Sequence, residues 1–193
     1  MQECSMKGEN LSCLRGERLL FRRLDLTLKS GAALHVAGPN GIGKSSLLRI
    51  LAGLLTPYTG SVDRAGGIAL LDERLALDEA LRLSEALGFW ARIDDSAASD
   101  AMEMLGLAPL GDVPVRYLST GQRKRAAFAR LLMQDAPIWL LDEPLNGLDA
   151  DAARIVEKLA SQHGEKGGIC IVASHQAMQL RNARTLALEE YAP

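Results

Sequence analysis

Apolar residues along this chain follow two periods, one typical of strands and one typical of helices. Residues 11–28 alternate as paired strands do, around a turn at Arg15, Gly16 and Glu17. Three short apolar runs predict buried strands, at 33–37, 138–141 and 169–173. Helical spacing predicts helices at 45–55, 119–133 and 149–163. The composition of 75–105 is also helical, and Gly106 with Pro109 closes that stretch.

This order of elements predicts an α/β fold. Strands that alternate with helices imply a mainly parallel core sheet with its sites at the strand ends. The paired strands near the N-terminus predict an antiparallel β part. The helical middle breaks the alternation, so we expect a small helical subdomain over about 75–135. A length of 193 residues suits one such domain, and we expect 1–193 to form it.

Composition and charge narrow the possible partners and compartments. A net charge of −2 gives no general attraction to nucleic acid, so we predict no nucleic-acid partner. Three widely spaced cysteines without a CxxC pattern indicate a reducing compartment. No basic segment with a following apolar run opens the chain, and Arg49 and Gly53 interrupt the apolar stretch 47–55. We therefore expect a protein that only a partner could hold at a membrane.

A glycine-rich segment between a predicted strand and a predicted helix indicates phosphate binding. Residues 38–45 match the pattern G-x-x-x-x-G-K-[ST], whose glycines let backbone amides point at phosphate oxygens. Lys44 would bridge the β- and γ-phosphates, and the Ser45 hydroxyl would bind Mg²⁺. The residues expected to hold the nucleotide here are Gly38, Pro39, Asn40, Gly41, Ile42, Gly43, Lys44, Ser45 and Ser46.

Two carboxylates follow the second predicted buried strand. Asp142 and Glu143 stand directly after residues 138–141, a position that faces Mg²⁺ and the γ-phosphate in P-loop enzymes. We expect Asp142 to bind Mg²⁺ and Glu143 to act as the general base for the attacking water. His175 follows the strand 169–173 and is a candidate contact to the γ-phosphate. The expected catalytic residues are therefore Glu143, His175 and Lys44.

A second candidate anion site opens the helix predicted at 119–133. In Leu118-Ser-Thr-Gly-Gln122, hydroxyls and free backbone amides would meet an anion at the helix start. One chain has no need of two such sites for one phosphate group. The basic run 123–125 that follows is interpreted as a solvated helix face, with a nucleic-acid patch as the alternative.

With these motifs in this order, the chain resembles the ABC ATPases. The corresponding segments are Walker A at 38–45, the signature at 118–122, Walker B at 138–142 with Glu143, the D-loop at 146–149 and the switch residue His175. The resemblance implies a P-loop NTPase fold of the ABC nucleotide-binding-domain type and the cofactors ATP and Mg²⁺. It also implies an ATP-dependent homodimer, in which Ser119, Gly121 and Gln122 complete the nucleotide pocket of the facing subunit.

The sequence departs from that family pattern at two places. The position of the aromatic residue that stacks on adenine holds Arg15, whose guanidinium can also stack on a base. The loop that usually supplies a Mg²⁺-contacting Gln has Leu71-Asp-Glu-Arg74 instead. Asp72 or Glu73 is the candidate replacement, although a carboxylate adds negative charge beside the phosphates.

More narrowly, the chain is similar to the ATP-binding subunits of haem export complexes in c-type cytochrome biogenesis. The similar stretches are 13–16, 20–21, 45–49, 54–57, 71–74, 88–90 and 174–176. This resemblance implies integral-membrane permease partners of the CcmB/CcmC type and a peripheral position on the cytoplasmic face of the inner membrane. The link to haem comes from the resemblance alone, because no residue pattern indicates a haem ligand.

Three alternatives remain open from the sequence. The first is an ABC ATPase subunit that serves another transported substrate. The second is a non-transport ABC ATPase acting as a mechanical switch, although such proteins usually carry two cassettes or a coiled-coil insertion. The third is a P-loop kinase for a small molecule, which leaves 119–122 and 146–149 without a role.

Overall fold

The computed structural model describes residues 3–176 and 178–193. Its strands are β1 Ser5–Arg15, β2 Arg18–Lys29, β3 Ala33–Ala37, β4 Thr59–Ala65, β5 Ile68–Leu71, β6 Ile138–Asp142, β7 Ile169–Ala173 and β8 Ala183–Ala187. Its helices are α1 Lys44–Leu51, α2 Leu83–Ile93, α3 Ala98–Met104, α4 Thr120–Met133 and α5 Ala150–Glu165. No helix within these residues is both long enough and apolar enough to span a bilayer.

The N-terminal part is a three-stranded antiparallel sheet in the order β2-β1-β4. The predicted strand pair and its turn are confirmed, since Arg15 pairs with Arg18 across Gly16 and Glu17. Strand β4 was not predicted from the sequence. Six of its seven residues are exposed, so it lacks the apolar alternation that indicates a strand.

The second sheet has five parallel strands in the order β5-β6-β7-β3-β8, which confirms the predicted mainly parallel core. Every residue of β6 and β7 is buried, because both faces of the sheet are covered. Ile138 and Leu140 face α1 and the antiparallel sheet. Trp139 and Leu141 face the helices on the other side. This two-sided cover explains the continuous apolar runs in the sequence.

Helix α1 is shorter than the sequence predicted. Helix α1 ends at Leu51 rather than at Leu55, because Gly53 takes a left-handed φ of 76°. The Arg64 guanidinium donates to the Leu51 carbonyl and satisfies one acceptor at this helix end.

The stretch 75–105 is not one helical unit. Helix α2 begins only at Leu83, because the preceding segment bonds to a later loop: the amide of Val115 donates to the Leu81 carbonyl, and Arg82 forms a bridge with Pro114. The Trp90 indole N–H donates to the Ala76 carbonyl at 2.6 Å and holds that segment against α2. Tertiary contacts thus override the local helical composition over 75–82.

A buried histidine lies at the end of the parallel sheet away from the strands' carboxyl ends. The His163 ring stacks on Trp139 with centroids 4.0 Å apart. Its Nε2 lies 3.2 Å from the Pro137 carbonyl oxygen and 3.3 Å from that of Ile169. Because both neighbours are acceptors, Nε2 carries the proton and donates. Burial lowers the pKa of His163, and the two carbonyls only partly oppose that effect.

The lowered pKa of His163 predicts a loss of stability in weak acid. The unfolded chain takes up a proton near the ordinary pKa of 6.5, whereas the folded chain takes it up only at lower pH. This contribution is complete above pH 6.5 and is lost as the pH falls from there through the folded-state pKa. Urea unfolding at several pH values should give a His163→Gln variant with a weaker acid dependence than wild type. Identical pH profiles for the two proteins would assign the acid sensitivity to other groups.

Candidate functional site

The predicted site residues come together at the carboxyl ends of the parallel strands. Residue pairing aligns Leu71 of β5 with Leu141 of β6, and Asp142 of β6 with Ala173 of β7. Strand β3 lies on the other side of β7 and leads into the glycine-rich loop. The segments that follow β5, β6, β7 and β3 therefore meet at one edge of the sheet, as the alternation of strands and helices predicted.

The glycine-rich loop 38–43 wraps around the start of α1. Gly43 takes a φ of 117°, and a Cβ there would lie 3.2 Å from Phe21 of β2, so conformation and space both favour glycine. The Lys44 ammonium donates to the carbonyls of Gly38 at 2.8 Å and Pro39 at 3.2 Å. Lys44 is only 6% exposed. The loop thus holds its lysine charge in place at the helix N-terminus.

Asp142 presents the donor set expected of a Mg²⁺ ligand. Its Oδ1 is buried and has no hydrogen-bond partner, and such an orphaned acceptor is costly unless a cation binds it. Burial raises the pKa of Asp142, the nearby Ser45 hydroxyl lowers it, and Glu143 raises it further. A hydroxyl and a carboxylate oxygen side by side are hard ligands that suit Mg²⁺ together with phosphate oxygens. The residues present therefore fit this metal.

Glu143 is held by contacts on both its backbone and its side chain. It adopts a φ of 44°, unusual for a residue other than glycine, and its amide donates to the Ala173 carbonyl at 2.8 Å. The Ser174 hydroxyl donates to Glu143 Oε2 at 3.0 Å. The carboxylate Oε1 lies 3.7 Å from Lys44 Nζ. The Glu143 side chain therefore points toward the lysine of the glycine-rich loop.

His175 also contacts the carboxylate of Glu143. Its amide lies 3.3 Å from Oε1 and its Nδ1 lies 3.0 Å from Oε2. Burial raises the pKa of Glu143, but hydrogen bonds from His175 and Ser174 and the charge of Lys44 bring it below its ordinary value. Glu143 is therefore ionised at neutral pH, as a general base must be. The structure brings the three predicted catalytic residues, Lys44, Glu143 and His175, into one cluster.

The loop after β5 has an ion pair where the resemblance led us to expect a metal contact. Arg49 of α1 donates to Asp72 Oδ2 at 3.2 Å, and the Arg74 amide donates to Asp72 Oδ1 at 2.9 Å. Both oxygens of Asp72 therefore have protein partners. Glu73 is exposed and lines the adjacent cleft together with Lys124 and Glu143. Of the two candidates for replacing the usual Gln, Glu73 is therefore the more accessible.

Arg15 is the last residue of β1 and is exposed. Two residues earlier, the Cys13 thiol is buried and lies beside the Ser46 side chain. Burial raises the pKa of Cys13, while Ser46 and the Arg15 charge oppose that shift. The contact between Cys13 and Ser46 places the end of β1 near the proposed nucleotide-binding segment. Stacking of the adenine base on Arg15 remains a prediction.

The signature segment begins α4 with a reciprocal cap. The Ser119 hydroxyl accepts from the Gln122 amide at 3.3 Å, and Gln122 Oε1 accepts from the Ser119 amide at 2.8 Å. Within the single chain the amides of Ser119 and Gln122 therefore already have partners. A ligand that binds those amides would have to displace the cap.

The basic run 123–125 is not simply the solvated face that the sequence suggested. The Lys124 ammonium donates to the Glu143 carbonyl at 3.1 Å, and Arg125 donates to the Leu105 carbonyl at 2.9 Å. Burial lowers the pKa of Lys124, and the carboxylates of Asp142, Glu73, Glu143 and Asp72 oppose that shift. Arg123 pairs with exposed Glu79 and also donates to the carbonyls of Leu118 and Arg116.

Sequence reasoning missed three side chains of this site: Ser174, Lys124 and Arg49. Ser174 precedes the predicted His175 directly after a buried strand, so its position was available as a signal. Lys124 and Arg49 lie on helices whose orientation toward the strand ends becomes clear only in three dimensions. Their charges balance the carboxylates that crowd this edge of the sheet.

Comparisons with known proteins agree with this geometry. The family model described as ABC transporter matches residues 21–146. A cytochrome c biogenesis ATP-binding export protein, CcmA, of Novosphingobium aromaticivorans is 54% identical over 193 residues, which is 100% of both chains. The protein of the same name in Zymomonas mobilis is 50% identical over 94% of this chain and 83% of its own.

Solved structures with the same fold agree as well. An inward-facing metal-chelate type ABC transporter has a TM-score of 0.81 at 26% identity, over 96% of this chain and 80% of its own. An ABC transporter ATP-binding protein from Pyrococcus furiosus has a TM-score of 0.84 at 24% identity, over 98% of this chain and 100% of its own. At that identity the second likeness supports the fold alone. The chain belongs to the ABC transporter family and is a CcmA-like ATP-binding protein within it.

Proposed function

We propose that this chain is the ATP-hydrolysing subunit of the haem export complex of c-type cytochrome biogenesis. In this proposal residues 1–193 act as one ATPase domain, and about 75–135 form its helical subdomain. Loop 38–46 binds the phosphates, Ser45 and Asp142 bind Mg²⁺, and Glu143 removes a proton from the water that attacks the γ-phosphorus. His175 orients that carboxylate and contacts the γ-phosphate.

The observation that carries the hydrolytic role is the placement of Glu143. Its carboxylate is ionised, held by Ser174 and His175, and 3.7 Å from the Lys44 ammonium that would bind the γ-phosphate. A base positioned beside the phosphate clamp can activate water in line with the bond that breaks. Mg²⁺ would neutralise charge on the phosphate oxygens that Ser45 and Asp142 adjoin.

The proposed work at the membrane depends on partner subunits. The curated relatives are named as ATP-binding export proteins of cytochrome c biogenesis. Haem as the cargo rests on the resemblance of the sequence to haem export subunits. We propose integral-membrane permease partners of the CcmB/CcmC type and a peripheral position on the cytoplasmic face of the inner membrane. Exposed Phe89 and Ile93 lie one turn apart on α2 beside Trp90 and are candidate contacts to a permease.

This model predicts that attachment to membranes depends on the permeases. Coexpressed with them, the chain should sediment with membranes, and high salt or alkali should release it because only protein contacts hold it. A Phe89→Ser/Ile93→Ser variant should bind membranes several-fold less without losing ATP hydrolysis in solution. Leu54→Ser, which alters an exposed leucine near the end of α1, is the matched control and should sediment as wild type does.

Two results would contradict this proposal. One is equal sedimentation with membranes that lack all permeases. The other is co-purification of the tagged chain with the permeases of an unrelated transporter. That result would leave the assignment as an ATPase intact but would show that the chain serves a transporter other than the haem exporter.

A further inference from the structure

Lys124 connects the signature helix to the backbone of the proposed catalytic base. It lies in the second turn of α4, and its ammonium donates to the main-chain carbonyl of Glu143 at 3.1 Å. The amide of Asn146 donates to the same carbonyl at 3.3 Å. One oxygen of Glu143 thus joins α4 to the turn that begins the D-loop.

The surroundings of Lys124 favour a fixed position for its side chain. It is partly buried, and the carboxylates of Asp142, Glu73, Glu143 and Asp72 all attract its charge. A hydrogen bond from a charged donor to a carbonyl is stronger than one between neutral groups. Two of these four carboxylates, those of Asp72 and Glu73, belong to the loop after β5. This acidic loop therefore adds to the negative charge around the ammonium.

The first turn of α4 also packs closely against the segment after Glu143. A Cβ added at Gly121 would lie 2.8 Å from the Gly147 carbonyl oxygen. A Cβ added at Gly147 would lie 2.9 Å from Cγ2 of Thr120. Neither glycine has room for a side chain, so α4 and the loop after Glu143 are closely packed at this point.

We infer that Lys124 is a positioning residue, which holds the backbone of Glu143 from the signature helix. This inference rests on the proposed role of Glu143 as general base. The backbone of Glu143 is left-handed and costly for a non-glycine residue, so its geometry needs support from its neighbours. Its amide and carboxylate are held by β7 and the residues after it, and its carbonyl is held by Lys124 from α4.

Steady-state ATP hydrolysis by purified Lys124→Met tests this inference. We expect kcat to fall roughly ten- to a hundredfold, because small displacements of a catalytic group have effects of this size. The KM for ATP should change less than about twofold, since the Lys124 ammonium donates to the Glu143 carbonyl and not to the phosphate-binding loop. A lower kcat with an unchanged KM marks a change confined to the transition state. Lys124→Arg keeps a charged donor and should restore most of kcat. Where Lys124→Met does not fold, Lys124→Gln, which lacks the charge, takes its place.

Arg125→Met is the matched control from the same helix. Arg125 also donates to main-chain carbonyls, but those belong to Leu105 and Gly106 rather than to Glu143. Its loss should lower the melting temperature while leaving kcat within about twofold of wild type, because it removes a structural contact only. A decrease in kcat for Lys124→Met without a comparable decrease for Arg125→Met supports a specific role for Lys124.

Two outcomes would overturn the inference. The first is a Lys124→Met enzyme with wild-type kcat. The second is a parallel loss of kcat and ATP affinity that Lys124→Arg does not restore, which would indicate a structural role. Glu143→Gln in the same assay tests the proposed general base separately from the role of Lys124. If Glu143→Gln hydrolyses ATP normally, the assignment of Glu143 as the base is wrong. If Glu143→Gln is inactive and Lys124→Met is fully active, only the role of Lys124 is rejected.

Discussion

Replacing Lys44 with alanine should abolish ATP hydrolysis. The ammonium is buried at the start of α1. The carbonyls of Gly38 and Pro39 hold it beside the position expected for the γ-phosphate. Negative charge on the phosphate oxygens is stabilised by this fixed cation, and loss of one such group costs roughly 3 kcal/mol or more of transition-state stabilisation, about a hundredfold in rate or greater. Phosphate release from Mg²⁺-ATP measures the effect directly.

Lys158→Ala provides the control for this experiment. Lys158 is an exposed lysine of α5. Its replacement with alanine removes the same charge as Lys44→Ala but leaves the glycine-rich loop unchanged. It should hydrolyse ATP at the wild-type rate. Near-normal hydrolysis by Lys44→Ala would instead overturn the assignment of 38–45 as the phosphate-binding loop.

The parallel core was predictable because its buried strands share one sequence pattern, and that pattern has one physical cause. Strands β3, β6 and β7 are covered on both faces, so their sequences are short continuous apolar runs. The edge strand β8 was missed because three of its five residues are exposed. Strand β5, at the other edge, was missed because four residues are too few to show a period.

The site was predictable as a set of motifs but not as a set of contacts. Order along the chain and position after buried strands predicted that Lys44, Glu143 and His175 would be neighbours. Neither signal revealed that Arg49 pairs with Asp72 or that Lys124 reaches the Glu143 carbonyl. Those contacts depend on how α1 and α4 pack on the sheet. Sequence patterns report which helix face is buried but not what that face meets.

Replacing Glu143 with glutamine should stop hydrolysis while leaving ATP bound. Glutamine has nearly the same shape, and its Oε1 can still accept from the Ser174 hydroxyl, which lies 3.0 Å from the carboxylate in the wild type. The amide cannot accept a proton from water, and the loss of general-base catalysis should lower kcat by about a hundredfold or more. ATP binding by 38–46 should persist, because Lys44 and the loop amides are unchanged.

A bound but unhydrolysed nucleotide should hold two subunits together. In the homodimer that the resemblance to ABC ATPases implies, each ATP lies between 38–46 of one subunit and 119–122 of the other. ATP then contributes contacts to both subunits, and dimerisation should become ATP-dependent. Sedimentation velocity of Glu143→Gln should therefore show a monomer without nucleotide and a dimer with Mg²⁺-ATP. Wild type should dimerise only transiently, since hydrolysis removes the γ-phosphate that both subunits contact.

Adding Ser119→Arg to Glu143→Gln should prevent that dimer. The arginine side chain would fill the space at the start of α4 where the facing γ-phosphate must lie. It also removes the Ser119 cap, which costs about 1 kcal/mol, so far-UV circular dichroism must first confirm that the helices are intact. Ser99→Arg in the same background places an identical side chain at an exposed position of α3 and should still dimerise with ATP. If Glu143→Gln stays monomeric at high protein concentration with saturating ATP, a second run with the permeases present distinguishes a dimer that requires them from a wrong dimer model.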